Sequence, residues 1–485
     1  MSEQSLKEKT VKGVGWSAAD NVLQYVVTFV VSIILARLLT PSDYGLIGIV
    51  TIFTAICNTV INGGFMSALV RKNDVTTDDY NTVLICNFLT SVVLYGILFI
   101  LSPFIASFFE RAELVPLIRV ASLGLIIGSF SIVQKARLTK QIDFKTQTKV
   151  SFLASLISGI VGVVFAFLGF GVWSLVAQHL TSSFLSATLL WVFNKWSPSF
   201  LFSKKSFVEL FGYSWKMLLS GLLDTIWNQL SQVVVGKFYH PDTLGHFTRA
   251  KQFAEIISLN FTNVIQRVSF PALSEVQEDK ERLIGAYRRI LKVSMLFSAV
   301  LLFGMGAVSE PMIHCLLGEK WHQAALYLPL VCIHMSTYPL HSLNLNLLQI
   351  QGRSDLFLYL EIIKKSIAVV PLVLGAMVGI YTMLIANIVV TIISFFLNSY
   401  YTGKLLGYTP WMQIKDVSSS YMVAIIMGAI VFFFKYLPIS DLFILPLQLI
   451  VGFFVTVGLC NLFKLQEYFE IREIVVSYYH KIVRR

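Results

Sequence analysis

The chain is a succession of long apolar runs. A run of roughly 18 to 25 such residues leaves the backbone one stable form in hydrocarbon, an α-helix that bonds all its own polar groups. Runs of this kind fall at 14–36, 44–66, 81–101, 114–134, 150–169 and 171–193, and again at 214–236, 246–270, 289–309, 323–348, 357–377, 379–400, 417–436 and 442–463. The expected fold is an all-α polytopic membrane protein with about 14 transmembrane helices. With 56% apolar residues, 13% charged residues and a mean hydropathy of +0.72, the chain cannot be an ordinary soluble domain.

One stretch occurs twice. Trp16 to Gly45 ends in TPSDYG, and Ser214 to Gly245 ends in HPDTLG, so that Pro41 matches Pro241 and Gly45 matches Gly245 at one fixed offset. Asp20, Gln24, Thr28 and Ser32 then fall on Ser220, Asp224, Asn228 and Gln232. A spacing of four gathers each set on one helix face, giving each span a polar stripe. Two such stripes point to a duplicated transporter of two six-helix halves with a wet cavity between them. The alternative is that the stripes serve as helix-to-helix contacts.

Position decides what the net charge of +11 means. With both termini placed in the cytoplasm, 28 Lys and Arg fall in inside segments, against five outside (Arg37, Arg111, Lys237, Lys320 and Lys435). This is a positive-inside pattern. Nucleic acid is set aside, because the basic residues sit on loops without a compact basic fold. The five cysteines show no metal or redox spacing and read as small apolar residues. The first helix is expected to be retained, since no cleavage site follows it. No GxxxxGK[ST] loop is present, so the chain reads as a transporter rather than an ATP-hydrolysing enzyme. Asp78-Asp79 reads as a solvated helix end, and His314 with His322 and Glu319 lacks the third ligand a metal needs. Residues 194–213, with Pro198, Lys204 and Lys205 among aromatics, read as an amphipathic cytoplasmic linker. Residues 464–485 read as a basic amphipathic tail on the inner leaflet.

Several segments resemble one family: Gly15-Trp16-Ser17, LARLLTPSDYGLIG at Leu35 to Gly48, GGFMSALVRKNDVTTDDYNTV at Gly63 to Val83, FPALSEVQED at Phe270 to Asp279, LLGEKWHQA at Leu316 to Ala324 and LLQIQGRSDLF at Leu347 to Phe357. They are similar to the polysaccharide-transporter branch of the multidrug/oligosaccharidyl-lipid/polysaccharide flippase superfamily. The resemblance implies pseudo-symmetric lobes at 1–193 and 214–402, an appended helix pair at 403–463, and alternating access. It also implies a polyprenyl-diphosphate-linked oligosaccharide as substrate, carried to the outer leaflet of a bacterial inner membrane beside polysaccharide polymerase and export proteins. Within the same fold, a cation-coupled multidrug exporter is the alternative. An integral-membrane glycosyltransferase or polymerase, or an assembly scaffold, is a more distant one.

Such a substrate needs cations for its diphosphate. Arg249, Lys251, Arg267, Lys216 and Arg119 are the candidates, and the competing reading is that they snorkel to the interfaces. Asp20, Asp224 and Glu255 are candidates for a coupling ion, H+ or Na+, or for structural ion pairs. No other cofactor and no metal is expected. Gln24, Asn58, Asn62, Asn228, Gln232 and Asn263 are candidates to hydrogen bond the glycan inside the cavity.

Overall fold

The computed structural model describes residue 24 and residues 26–194, 196–199 and 201–483. Among these every regular element is helical. The chain clusters into two compact units divided between Gly245 and His246.

The first unit opens with α1 (Val26–Leu38). The repeat's first turn then starts α2 (Pro41–Asn62): Thr40 accepts from the backbone N–H of Asp43, Asp43 accepts from that of Thr40, and Pro41 takes the first helical position, where no N–H is needed. Gly63 and Gly64, with φ of +49° and +74°, end α2 and begin α3 (Phe65–Arg71). A second Thr–Asp box, Thr76 with Asp79, starts α4 (Thr77–Phe109). Asp79 is fully buried and bonded to Lys72 at 2.9 Å, so this acid is a buried cap, where a solvated helix end was expected. The expected span 114–134 is bent into α5 (Leu114–Ala121) and α6 (Leu123–Lys140), followed by α7 (Phe144–Phe167) and α8 (Trp173–Phe193).

The segment read as a linker is stapled to the start of α4. Asn81 Nδ2 donates to Ser199 Oγ, the Ser199 N–H donates to Asn81 Oδ1, and the Ser203 N–H donates to Thr82 Oγ1. Its second half belongs to α9 (Lys204–Phe238), which Ser203 caps. By its contacts α9 lies in the first unit, along α2, although its sequence matches α1. Small residues make this possible: a Cβ on Gly64 would meet Ser214 O at 2.9 Å, and one on Gly236 would meet Phe109 at 3.1 Å.

The division falls within the first turns of α10 (Pro241–Glu275). The second unit continues with α11 (Lys280–Ala307), α12 (Ser309–Leu317), α13 (His322–Ser336), α14 (Tyr338–Ile350), α15 (Ser354–Ile367), α16 (Val369–Met377), α17 (Ile380–Leu406), α18 (Pro410–Phe433) and α19 (Asp441–Leu462). Expected span ten is therefore α13 and α14, broken before Pro339, and span eleven is α15 and α16, broken before Pro371. The tail forms α20 (Gln466–Val483). Its start packs onto the unit itself: Leu465, Tyr468 and Ile471 lie against Leu296, Val423 and Cys460, and Arg289 bonds Glu470 at 2.7 Å.

Nine helical stretches among the described residues are long and apolar enough to cross a membrane by length and composition. α1, α9, α10 and the two broken pairs occupy the other expected runs. α9 and α10 fall below that composition because they carry the polar and charged stripes. On α19, by contrast, Leu442, Phe443, Phe453 and Phe454 are all well exposed, as a lipid-facing surface requires.

Candidate functional site

In the first unit the polar candidates converge where α2 meets α9. Thr59 and Thr225 share a hydrogen bond of 2.9 Å, and a Cβ on Gly221 would meet the Thr59 methyl at 3.5 Å. Around this contact Asn58 and Asn62 on α2, and Asp224 and Asn228 on α9, are all exposed. Gln232 follows, half-buried, one turn beyond Asn228, and Gln24 is exposed at the start of the described chain. Amides and a carboxylate on such a face lose their water wherever it meets lipid, which is a cost that a water-lined face avoids. Exposed polar residues of α2, Asn58 and Asn62, thus stand beside those of the α9 stripe, Asp224 and Asn228. Asp20 lies outside the described residues.

The cations of the first unit differ in setting. Lys216 is exposed, with its ammonium 5.9 Å from the Trp215 ring. Arg119 is held against α4: its Nε donates to Ser102 Oγ at 3.0 Å and its guanidinium lies 4.1 Å from the Phe99 ring. At the C-terminal end of α9, Lys237 bonds Glu110 at 2.7 Å, which holds the Glu110 carboxyl below its ordinary value. Near the N-terminal end of α9, Lys72 bridges Asp79 and Glu209. Beside it is an open cavity of about 390 Å³ lined by Arg71, Asn73 and Tyr213, with Arg71 stacked 4.5 Å over Tyr213.

In the second unit Arg249 is 5% exposed. It donates to Gln252 at 2.7 Å and lies 5.8 Å from the fully buried Trp321 of the LLGEKWHQA segment. Lys251 and Glu255 face one another at 3.6 Å on successive turns, as an i, i+4 pair. Arg267 and Asn263 are exposed on α10. Glu361 pairs with Lys364 at 2.5 Å. His314 meets both His322 (3.2 Å) and Asp441 (3.0 Å), yet no cluster of three metal-ligating side chains forms among the described residues.

Sequence reading missed a polar seam between α13–α14 and α17. His334 Nδ1 and Thr391 Oγ1 are 2.8 Å apart, and Asn398 Nδ2 donates to His341 Nδ1 at 3.2 Å. Thr402 donates to Asn344 Oδ1, and Asn344 and Gln413 exchange bonds of 2.9 and 3.1 Å. Tyr408 then donates at 2.6 Å to Asp416, which also accepts two bonds from Arg288. The signal was available: 334 and 341 on one span, and 391 and 398 on the other, carry the same seven-residue spacing.

Comparisons with known proteins agree with this architecture. A family model described as polysaccharide biosynthesis protein matches residues 34–326. The teichuronic acid biosynthesis protein TuaB of Bacillus subtilis is 23% identical, over 88% of this chain and 89% of its own length. The lipopolysaccharide biosynthesis protein WzxC of Escherichia coli is 23% identical over 87% and 89%. The succinoglycan biosynthesis transport protein ExoT of Rhizobium meliloti is 26% identical over 66% and 65%. Among solved structures, the lipid II flippase MurJ in an inward closed conformation superposes with a TM-score of 0.74 at 13% identity, over 93% of this chain and 98% of that one. An inward-facing multidrug resistance MATE family transporter superposes with a TM-score of 0.60 at 18% identity, over 79% and 95%. A multi-pass helical membrane protein with this fold, matched by that family model over more than half its length, belongs to the polysaccharide biosynthesis protein family.

Proposed function

We propose that the chain is a flippase that moves a polyprenyl-diphosphate-linked oligosaccharide, the repeat unit of a surface polysaccharide, from the cytoplasmic to the outer leaflet by alternating access. The observation that carries this is the exposed polar face at Asn58, Asn62, Asp224 and Asn228, set in membrane helices of a chain from a polysaccharide biosynthesis family. A polar glycan crosses hydrocarbon only along such a wet face, while the polyprenyl tail stays in lipid. The diphosphate falls to the accessible cations, Arg267 and Lys216, with Lys251 partly accessible. Arg249 and Arg119 are already engaged with aromatic and polar neighbours and act as positioning residues. Asn263, Gln232 and Gln24 extend the hydrogen-bonding surface. Asp224, Glu255 and Asp20 are the carboxylates proposed to bind a coupling ion. The excess of Lys and Arg in the segments on one side of the spans supports an orientation with both termini cytoplasmic in a bacterial inner membrane, where polymerase and export proteins are the proposed partners.

Reconstitution tests this directly. Proteoliposomes holding a labelled polyprenyl-diphosphate oligosaccharide should show its transfer between leaflets, with a loss of roughly tenfold or more in Arg267→Ala, the equivalent of one charge-assisted phosphate bond. Well-folded wild type that moves no such lipid but expels cationic drugs overturns the flippase reading in favour of an exporter of the same fold.

A further inference from the structure

We propose that His341, paired with Asn398 at the break in the tenth span, is a proton-binding site that couples transport to the proton gradient. This rests on the transport reading above and adds a site within the second unit.

The site is built from two helices in register. α13 stops at Ser336 and α14 starts at Tyr338, with Pro339 in its first turn, so the break lies between His334 and His341. Broken spans are where membrane transporters bring backbone and side-chain polar groups to bear on ions. α17 runs unbroken beside them and supplies Thr391 and Asn398, one for each histidine.

With the Asn398 amide nitrogen toward it, the His341 ring fits one protonation state. An amide nitrogen only donates, so Asn398 Nδ2 at 3.2 Å requires the His341 Nδ1 lone pair to accept, which leaves a neutral ring with its proton on Nε2. His341 Nε2 and Asn398 Oδ1 are both buried with no hydrogen-bond partner, and Asn398 is fully buried. A second arrangement gives the orphaned Oδ1 a partner and releases Nδ2 in exchange. When Nδ1 takes a proton from hydronium and releases water, it becomes a donor, and a half-turn of the Asn398 amide presents Oδ1 to receive it. One asparagine thus offers a bonded partner to either protonation state, as a site that loads and unloads one proton requires.

The surroundings keep the change in charge to that proton. Lys251 and Lys364, whose charges reach His334 and His341, are paired with Glu255 and Glu361. Arg288 and Lys292 on α11 are both directed to Asp416. Asn344, Thr402, Gln413 and Tyr408 connect the neighbourhood of His341 to that carboxylate by hydrogen bonds of 2.6 to 3.1 Å, with the Gln413 amide also 3.4 Å from the Tyr408 carbonyl.

The experiment uses the full chain in two settings. In proteoliposomes containing a pH indicator, an imposed proton gradient should raise wild-type transfer of labelled lipid-linked oligosaccharide and admit protons. In His341→Gln, transfer should be the same with and without the gradient, and proton entry should fall roughly tenfold, with an unchanged melting temperature as the folding control. In detergent, without substrate, the wild type should take up about one more proton per chain than His341→Gln on acidification from neutral pH. Asn398→Leu should reduce both effects. A His341→Gln chain that stays gradient-driven, or binds as many protons as wild type, overturns the proposal. If wild type moves no lipid-linked sugar but keeps the proton difference, the flippase reading falls and the proton site stands.

Discussion

Gly45 and Gly245 hold equivalent places in the two repeated turns, and each lies under the other turn's proline. A Cβ on Gly45 would come within 2.0 Å of the Pro241 carbonyl oxygen, and one on Gly245 within 2.0 Å of that of Pro41. The sequence match is therefore also a contact, which only a residue without a side chain permits at either end. Gly45→Ala and Gly245→Ala should each destabilise the protein by roughly 1–3 kcal/mol, the usual cost of overpacking. The double variant should lose less than the sum, because the first methyl has already parted the turns. Melting of the purified protein in detergent measures both. At Asp416, 7% exposed, the carboxylate holds Arg288 at 2.7 and 2.8 Å and Tyr408 at 2.6 Å. Asp416→Ala strands these donors. Arg288 is itself 43% exposed, so the loss should lie near the low end for a buried pair, about 3 kcal/mol, with Asp416→Asn retaining part of it.

Among the elements, the junction of α3, α4 and α9 depends on one lysine. Burial alone would lower the Lys72 value, but the bonds from Asp79 and Glu209 outweigh it and hold the ammonium above its ordinary value of 10.5. A raised folded value means that this stabilisation is fully present below the ordinary value and is lost as pH rises through the folded one. Wild type should therefore lose melting temperature more steeply than Lys72→Met between pH 10 and 12, and equal slopes would remove Lys72 from the junction. The cap on α4 acts separately. Thr76→Ala leaves the Asp79 N–H without its acceptor and should cost about 1 kcal/mol.

At the scale of the whole molecule, the exposed polar face predicts where water reaches. Asn62→Cys and Asn228→Cys should react with a membrane-impermeant maleimide in intact vesicles or inverted ones, depending on which way the cavity opens. Phe104→Cys, on the exposed apolar surface of α4, should react in neither. Equal labelling of all three would remove the distinction between a wet face and a lipid face. Much of this was legible beforehand. Long apolar runs allow only helices in hydrocarbon, so the fold class followed from composition, and the spacing of four in Asp224, Asn228 and Gln232 followed from helical geometry. The sequence could not assign partners to those faces. Periodicity says which residues share a side of a helix, but the neighbour on that side is set by where small residues let backbones approach. Gly64, Gly221 and Gly236 bring α9 to α2 inside the first unit. The same limit hid His341 and Asn398, fifty-seven positions apart, whose meaning comes from a contact across two helices. Local pattern thus determined that the chain is a bundle of membrane helices with a polar stripe. Only packing decided which stripes stay exposed, which charges neutralise one another, and where a half-buried histidine finds its asparagine.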